Sequence, residues 1–391
     1  VIREYPRLIA LVLGVAVAGI VFVVGLKFIV PALRPEQTDA GAVRYEGTIT
    51  TADGKTHEFV LHEGEGGVPE PPPPETVTPE PVEDEPKKEK RGEEPAPRRE
   101  TRERFYEHDP DLGYRHKPSV KVEVRKKHKG KVLYDVSYTT DRYSRRVTVP
   151  RNEADKALIF MGCSYTFGSG VNDDQTLPSQ VAALMPECQV VNYGQDGIGA
   201  QHICEIMRAK EIQGHGIAKK AAVIYTFLHV HIRRAIGVPA ITRAFGKNFP
   251  WYERENGTLV RRGRFSDRPG DWDWKLSYRR KNGIKNWYGE YIIDEDARLV
   301  CALLGEAKRL FESQFESQGF YVLLFPQRQG AYTERVAEGC RKQGFTVLDY
   351  RDLLGEMKNE DDFFIPNDGH PLPSTYKMIA EQIRDDLSKK K

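Results

Sequence analysis

The stretch "MGCSYTFGSGV", residues 161–171, places Ser164 just after the apolar run "ALIF" and shortly before Gly168 and Gly170. Glycines after a strand mark a turn where backbone N–H groups approach something closely. A serine on such a turn either caps a helix or serves as a nucleophile. Nucleophilic chemistry at serine needs a base to take its proton, a group to orient that base, and donors for an oxyanion. The chain has a candidate for each. Gly197 in "NYGQDGIGA" has no side chain to keep its N–H from an oxyanion, a plain β–α turn being the alternative. His370 in "IPNDGHPLPSTYKMIAEQI" is flanked by Asp368 and two prolines, directly ahead of a helical stretch. A base on a short rigid loop beside a carboxylate suits general-base work. The competing readings are a turn for Asp368 and a surface-loop position for His370.

Five apolar runs have the character of buried strands: 157–162, 189–194, 221–228, 319–326 and 344–350. Helical patterns lie between or after them, at 176–185, 199–212, 295–318, 331–343 and 373–388. Continuous apolar strands alternating with helices predict a parallel sheet covered on both faces. In such sheets the working residues gather beyond the carboxyl ends of the strands. Ser164, Gly197, His229 and His231 all fall just past such ends.

Together these blocks resemble the SGNH, or GDSL-like, hydrolase superfamily over about residues 105–391. "GCSYTFGSGV" resembles its first block, "NYGQDGIGA" its second, and "DGHPLPSTYKMIA" its last. "DPDLGYRHKP" (109–118) is similar to the lead-in of membrane-anchored members. The resemblance implies a three-layer α/β/α, flavodoxin-like sheet and two-step acyl chemistry without a metal or other cofactor. Ser164 would be the nucleophile, His370 the base and Asp368 its orienting carboxylate, with Gly197 and Ser164 N–H groups holding the oxyanion. Two departures stand out. The family often has Asp three residues before His, and Asn367 is there, so Asp368 takes the role. The asparagine of the third block is absent, because the third strand runs into "FLHVHIRR". If that strand continues, His229 and His231 share one face, and either imidazole N–H could replace the missing amide.

The rest of the chain bounds where this chemistry works. The sequence has 391 residues, a net charge of +2, 39% hydrophobic and 30% charged residues, which argues against general nucleic-acid binding. The basic runs "RKKHKGK" (125–131) and "RRGR" (261–264) read as solvated surface. Residues 8–26 are nineteen uncharged, mostly apolar positions, enough to span a bilayer. Residues 1–34 are therefore expected to be an N-terminal membrane anchor, with the bulk of the chain extracytoplasmic. Residues 35–63 alternate around "ADGK" as a small β-hairpin segment. Residues 64–104 hold ten of the 25 prolines and almost no large apolar residue, the composition of a disordered linker. Residues 105–150 read as a β extension, and 151–391 as the hydrolase domain.

Within that domain an irregular insertion at about 237–290 carries all four tryptophans, which suits a lid or substrate platform. Its "NGT" (256–258) fits a hairpin turn better than a glycosylation acceptor. The five cysteines show no C-x-x-C pair, which disfavours zinc. The expected function is a serine esterase removing or transferring O-acyl groups, foremost acetyl from an extracytoplasmic carbohydrate. A lipid esterase, an O-acyltransferase and a catalytically silent glycan-binding protein are the alternatives.

Overall fold

The computed structural model describes residues 35–37, 43–50, 56–63, 105–269, 292–327, 331–355, 357 and 359–389. The apolar run 8–26, the proline-rich stretch 64–104 and Trp272, Trp274 and Trp287 lie outside the described residues. Among the described residues, no helix is long and apolar enough to cross a membrane. The chain divides into two units, Val1–Glu89 and Lys90–Lys391. The first contains an antiparallel sheet of β1 (Pro35–Gln37), β2 (Val43–Thr50) and β3 (Thr56–Glu63). β2 and β3 pair from Val43 with Glu63 to Thr50 with Thr56.

The second unit opens with two hairpins: β4 (Tyr106–Asp109) with β5 (Gly113–His116), and β6 (Lys121–His128) with β7 (Lys131–Thr139). Its centre is a five-stranded sheet built from β8 (Lys156–Gly162), β9 (Gln189–Gly194), β10 (Lys220–Phe227), β13 (Glu316–Leu324) and β14 (Thr346–Asp349). The spatial order is β14-β13-β10-β8-β9 and every pairing is parallel. Numbered along the chain, this is the flavodoxin-like order 2-1-3-4-5. The connections are α1 (Ser164–Phe167), α2 (Leu177–Leu184), α3 (Ala200–Ala209), α4 (Val230–Ile236), α5 (Asp294–Glu312), α6 (Ala331–Lys342) and α7 (Pro373–Ser388).

Strand side chains alternate between faces, and both faces are buried. Ile159 and Met161 of β8 join Val223 and Tyr225 of β10 in a core with α3, α5 and α6. Leu158 and Phe160 join Ile224 in a second core with α2 and α7. Phe160 is fully buried, and burying a side chain of that size is worth about 1.5–3 kcal/mol over leaving it in water. All five cysteines are buried and free.

Three sequence expectations shift. The helix expected to 318 ends at Glu312, because Glu316 N–H already donates to Lys219 O (2.9 Å) and starts β13. Within the insertion, β11 (Pro250–Glu255) and β12 (Thr258–Arg264) form a hairpin. Its two loop residues, Asn256 (φ +49°) and Gly257 (φ +84°), have the positive φ pair of a type I′ turn. Trp251 of β11 is buried with Phe249 and Phe265, so this tryptophan is core and not platform. The third change concerns His229 and His231, below.

Candidate active site

The site lies at the topological switch point, where β8 is flanked by β9 and β10 and connections leave in opposite directions. β8 ends at Gly162, and Ser164 opens the single-turn helix α1, which Gly168 caps. Its N–H is one of the donors that a helix start leaves without an intrahelical acceptor. The last-block loop is pinned on itself: Ile365 N–H donates to His370 O (2.8 Å), and Gly369 N–H to Ile365 O (2.9 Å). Two tyrosines tie this loop to the serine turn. Tyr165 Oη donates to Gly369 O (2.6 Å), and Tyr376 Oη of α7 to Tyr165 O (2.8 Å).

This framework brings Ser164, His370 and Asp368 into one chain of hydrogen bonds. Ser164 Oγ lies 2.9 Å from His370 Nε2, and His370 Nδ1 lies 2.5 Å from Asp368 Oδ1. His370 N–H also donates to Asp368 Oδ1 (3.1 Å). An ionised carboxylate only accepts, so it fixes the proton on Nδ1 and leaves Nε2 to accept from the serine. Burial works against ionising Asp368, but His370 first and then Lys126 outweigh it, holding the carboxyl well below the usual carboxylate range. Asn367, three residues before His370, is exposed and left-handed (φ +59°).

Gly197 also has a left-handed backbone (φ +74°). A Cβ there would stand 2.6 Å from Tyr114 Oη and 2.9 Å from Phe245 Cε2, so only glycine fits. The turn before it is held by residues that sequence reasoning missed. Asp196 accepts from Tyr106 Oη (2.6 Å) and from Ser169 Oγ, and His116 Nε2 lies 3.5 Å from its Oδ2. Tyr114 Oη donates to Asp196 O (2.5 Å). Burial again opposes ionisation, and the contacts with His116, Ser169 and Tyr106 overcome it, keeping Asp196 well below the usual range.

The extension supplies Tyr106, Tyr114 and His116, and it also grips the serine loop. Gly170 N–H donates to Tyr138 Oη (2.7 Å), and Phe105, Val136 and Tyr138 enclose Phe167 of α1. Lys126 Nζ of β6 donates to Asp368 Oδ2, the oxygen that His370 does not use. Lys126 belongs to "RKKHKGK", read from sequence as solvated surface. The available signal was the strand's alternation: Val122, Val124 and Lys126 fall at the less exposed positions of β6.

His229 and His231 do not sit as the sequence suggested. β10 ends at Phe227, His229 is the N-cap of α4 and His231 lies within that helix, so the two do not share a strand face. The polar loop after the strand turns helical at once, with His231 N–H donating to Leu228 O (2.9 Å). His231 is fully buried, its Nδ1 2.7 Å from Tyr225 Oη. Burial, with help from Arg234, pushes its pKa down, so it is a neutral core histidine. His229 is half-buried, with Nδ1 3.4 Å from Thr333 Oγ1.

No protein-family model matches the chain, and no curated protein matches it. Solved structures similar to it include a lipolytic protein of the G-D-S-L family from Veillonella parvula, at 13% identity and a TM-score of 0.33 over 60% of this chain and 99% of that one. A putative lipolytic G-D-S-L protein from Desulfitobacterium hafniense matches at 14% identity and a TM-score of 0.33, over 59% and 98%. An acetylxylan esterase from Geobacillus stearothermophilus matches at 12% identity and a TM-score of 0.35, over 62% and 95%.

Proposed function

We propose that the chain is a serine ester hydrolase of the SGNH kind. The observation that carries this reading is the continuous Ser164–His370–Asp368 hydrogen-bond chain, 2.9 and 2.5 Å, at the carboxyl end of β8. Ser164 Oγ attacks the ester carbonyl carbon and its proton passes to His370 Nε2. The oxyanion of the tetrahedral intermediate is held by the Ser164 and Gly197 N–H groups. Collapse expels the alcohol, which takes the proton from His370 and leaves an acyl-serine. Water, deprotonated by the same imidazole, then attacks the acyl carbon and releases the acid and the free serine. Asp368 keeps His370 in the Nδ1–H tautomer throughout and stabilises the imidazolium.

The substrate we propose is an O-acylated carbohydrate, acetyl in particular, outside the cytoplasm, reached by a membrane-anchored chain. Its support is compositional: the aromatic insertion, the apolar run 8–26 and the proline-rich stretch after it. The test is hydrolysis of p-nitrophenyl esters of increasing chain length by the full chain, beside acetate release from an O-acetylated polysaccharide. The expected result is a preference for acetyl and measurable acetate release. A preference for long acyl chains would overturn the carbohydrate assignment, and no ester hydrolysis at all would overturn the enzyme.

The third oxyanion donor is a separate question with a separate answer for each histidine. If His229 supplies it, His229→Ala lowers kcat by roughly a hundredfold or more with KM nearly unchanged, the usual cost of one such donor. His231→Ala is expected to lower the unfolding temperature through a cavity and a lost Tyr225 partner, and not to act on kcat at the oxyanion. Near-wild-type kcat in His229→Ala leaves an oxyanion hole of backbone N–H groups alone.

A further inference from the structure

We propose that Lys126 is a positioning residue of the Ser164–His370–Asp368 centre, clamping the carboxylate from a hairpin outside the hydrolase core; this rests on the reading of that centre as catalytic. The two oxygens of Asp368 have divided tasks. Oδ1 takes the His370 ring (2.5 Å) and the His370 backbone N–H (3.1 Å), while Oδ2 takes Lys126 Nζ. With both oxygens held, the carboxylate cannot rotate away from the imidazole. The side chain of Asp368 is 0% exposed and that of Lys126 is 39% exposed, so the cation reaches inward from the surface. The β6–β7 ladder shifts register between Lys126 and Lys127. A bulge at that point is a common device for aiming a side chain toward a site.

The surroundings isolate this interaction. Tyr134, the cross-strand partner of Lys126, is pushed up to about 12 by burial and by Asp368. Tyr165, whose ring packs 5.3 Å from that of His370, is raised by burial, Cys163 and Asp368. Both phenols stay protonated through the working range. Without the lysine, Oδ2 is released and the carboxylate is free to turn, so the imidazole is held less firmly against Ser164.

The experiment compares wild type, Lys126→Met and Lys126→Arg in the full chain, following kcat and KM on p-nitrophenyl acetate. Lys126→Met is expected to lower kcat by roughly tenfold or more, as misplaced catalytic groups do, with KM within about twofold. Lys126→Arg restores kcat. Arg125→Gln is the control: this neighbour pairs with exposed Asp135, and its loss leaves kcat and KM unchanged. A wild-type kcat in Lys126→Met, a loss carried by KM instead of kcat, or failure of arginine to restore kcat overturns the proposal. Ser164→Ala is run alongside. If it is inactive while Lys126→Met behaves as wild type, only the lysine's role falls; if Ser164→Ala stays active, the reading of the centre falls with it.

Discussion

His370→Ala is expected to lower kcat on a small ester by about a million-fold, and Asp368→Asn by about ten-thousand-fold. The difference follows from what each group does. Without the imidazole, nothing accepts the proton of Ser164 Oγ, 2.9 Å from Nε2, and nothing returns it to the leaving alcohol. An amide at 368 keeps the shape but can present an N–H to Nδ1, which favours the wrong tautomer and removes the charge facing the imidazolium. Asn367→Ala separates this assignment from the neighbouring one. Its exposed, left-handed backbone predicts a small stability cost and near-wild-type kcat. A larger loss from Asn367→Ala than from Asp368→Ala would reverse the choice of orienting residue. Steady-state kinetics on the four variants, with KM measured in each, decides it.

Asp173→Ala is expected to destabilise the second unit by about 3–5 kcal/mol, because it strands a buried cation. The side chain of Arg146 is 0% exposed, and its Nε donates to Asp173 Oδ1 (2.6 Å). Its Nη2 donates to Ser137 O (3.1 Å) and Val171 O (3.0 Å), and the guanidinium stacks over Tyr138 and Phe167 at 4.3 and 4.6 Å. Burial pushes the Arg146 pKa down, with Asp173 acting against that. Removing the carboxylate leaves the desolvation cost without its compensation. At roughly 2–4 °C per kcal/mol for a domain of this size, the unfolding midpoint falls by about 6–20 °C. Because Phe167 and Val171 bracket the end of the serine loop, activity is lost over the same temperature interval. An unchanged midpoint would show that the extension is not bound into the catalytic unit through this arginine.

What was legible in the sequence was what is encoded locally. Glycines around a strand-end serine, a carboxylate two residues before a histidine, and five continuous apolar runs are short-range signals, and the sheet and the Ser164–His370–Asp368 chain follow them. The Asn256–Gly257 turn was legible for the same reason. Lys126 was not, because its partner lies 242 residues away and its own neighbours are exposed cations. Asp196 and Arg146 were missed likewise: a charge paired within the fold announces itself only through partners such as Tyr106, 90 residues distant, or Asp173. The two histidines after β10 failed differently. Alternation was carried past Phe227, where the chain had already turned into α4, and two residues on a helix do not share a face.

Labelling with a fluorophosphonate, followed by peptide mapping, tests most directly whether Ser164 is an activated nucleophile. The reagent exchanges its fluoride for the serine oxygen only where a base draws off the proton. One adduct is expected, on the peptide carrying Ser164, absent in Ser164→Ala and formed far more slowly in His370→Ala. A folded protein that forms no adduct on Ser164 would contradict it.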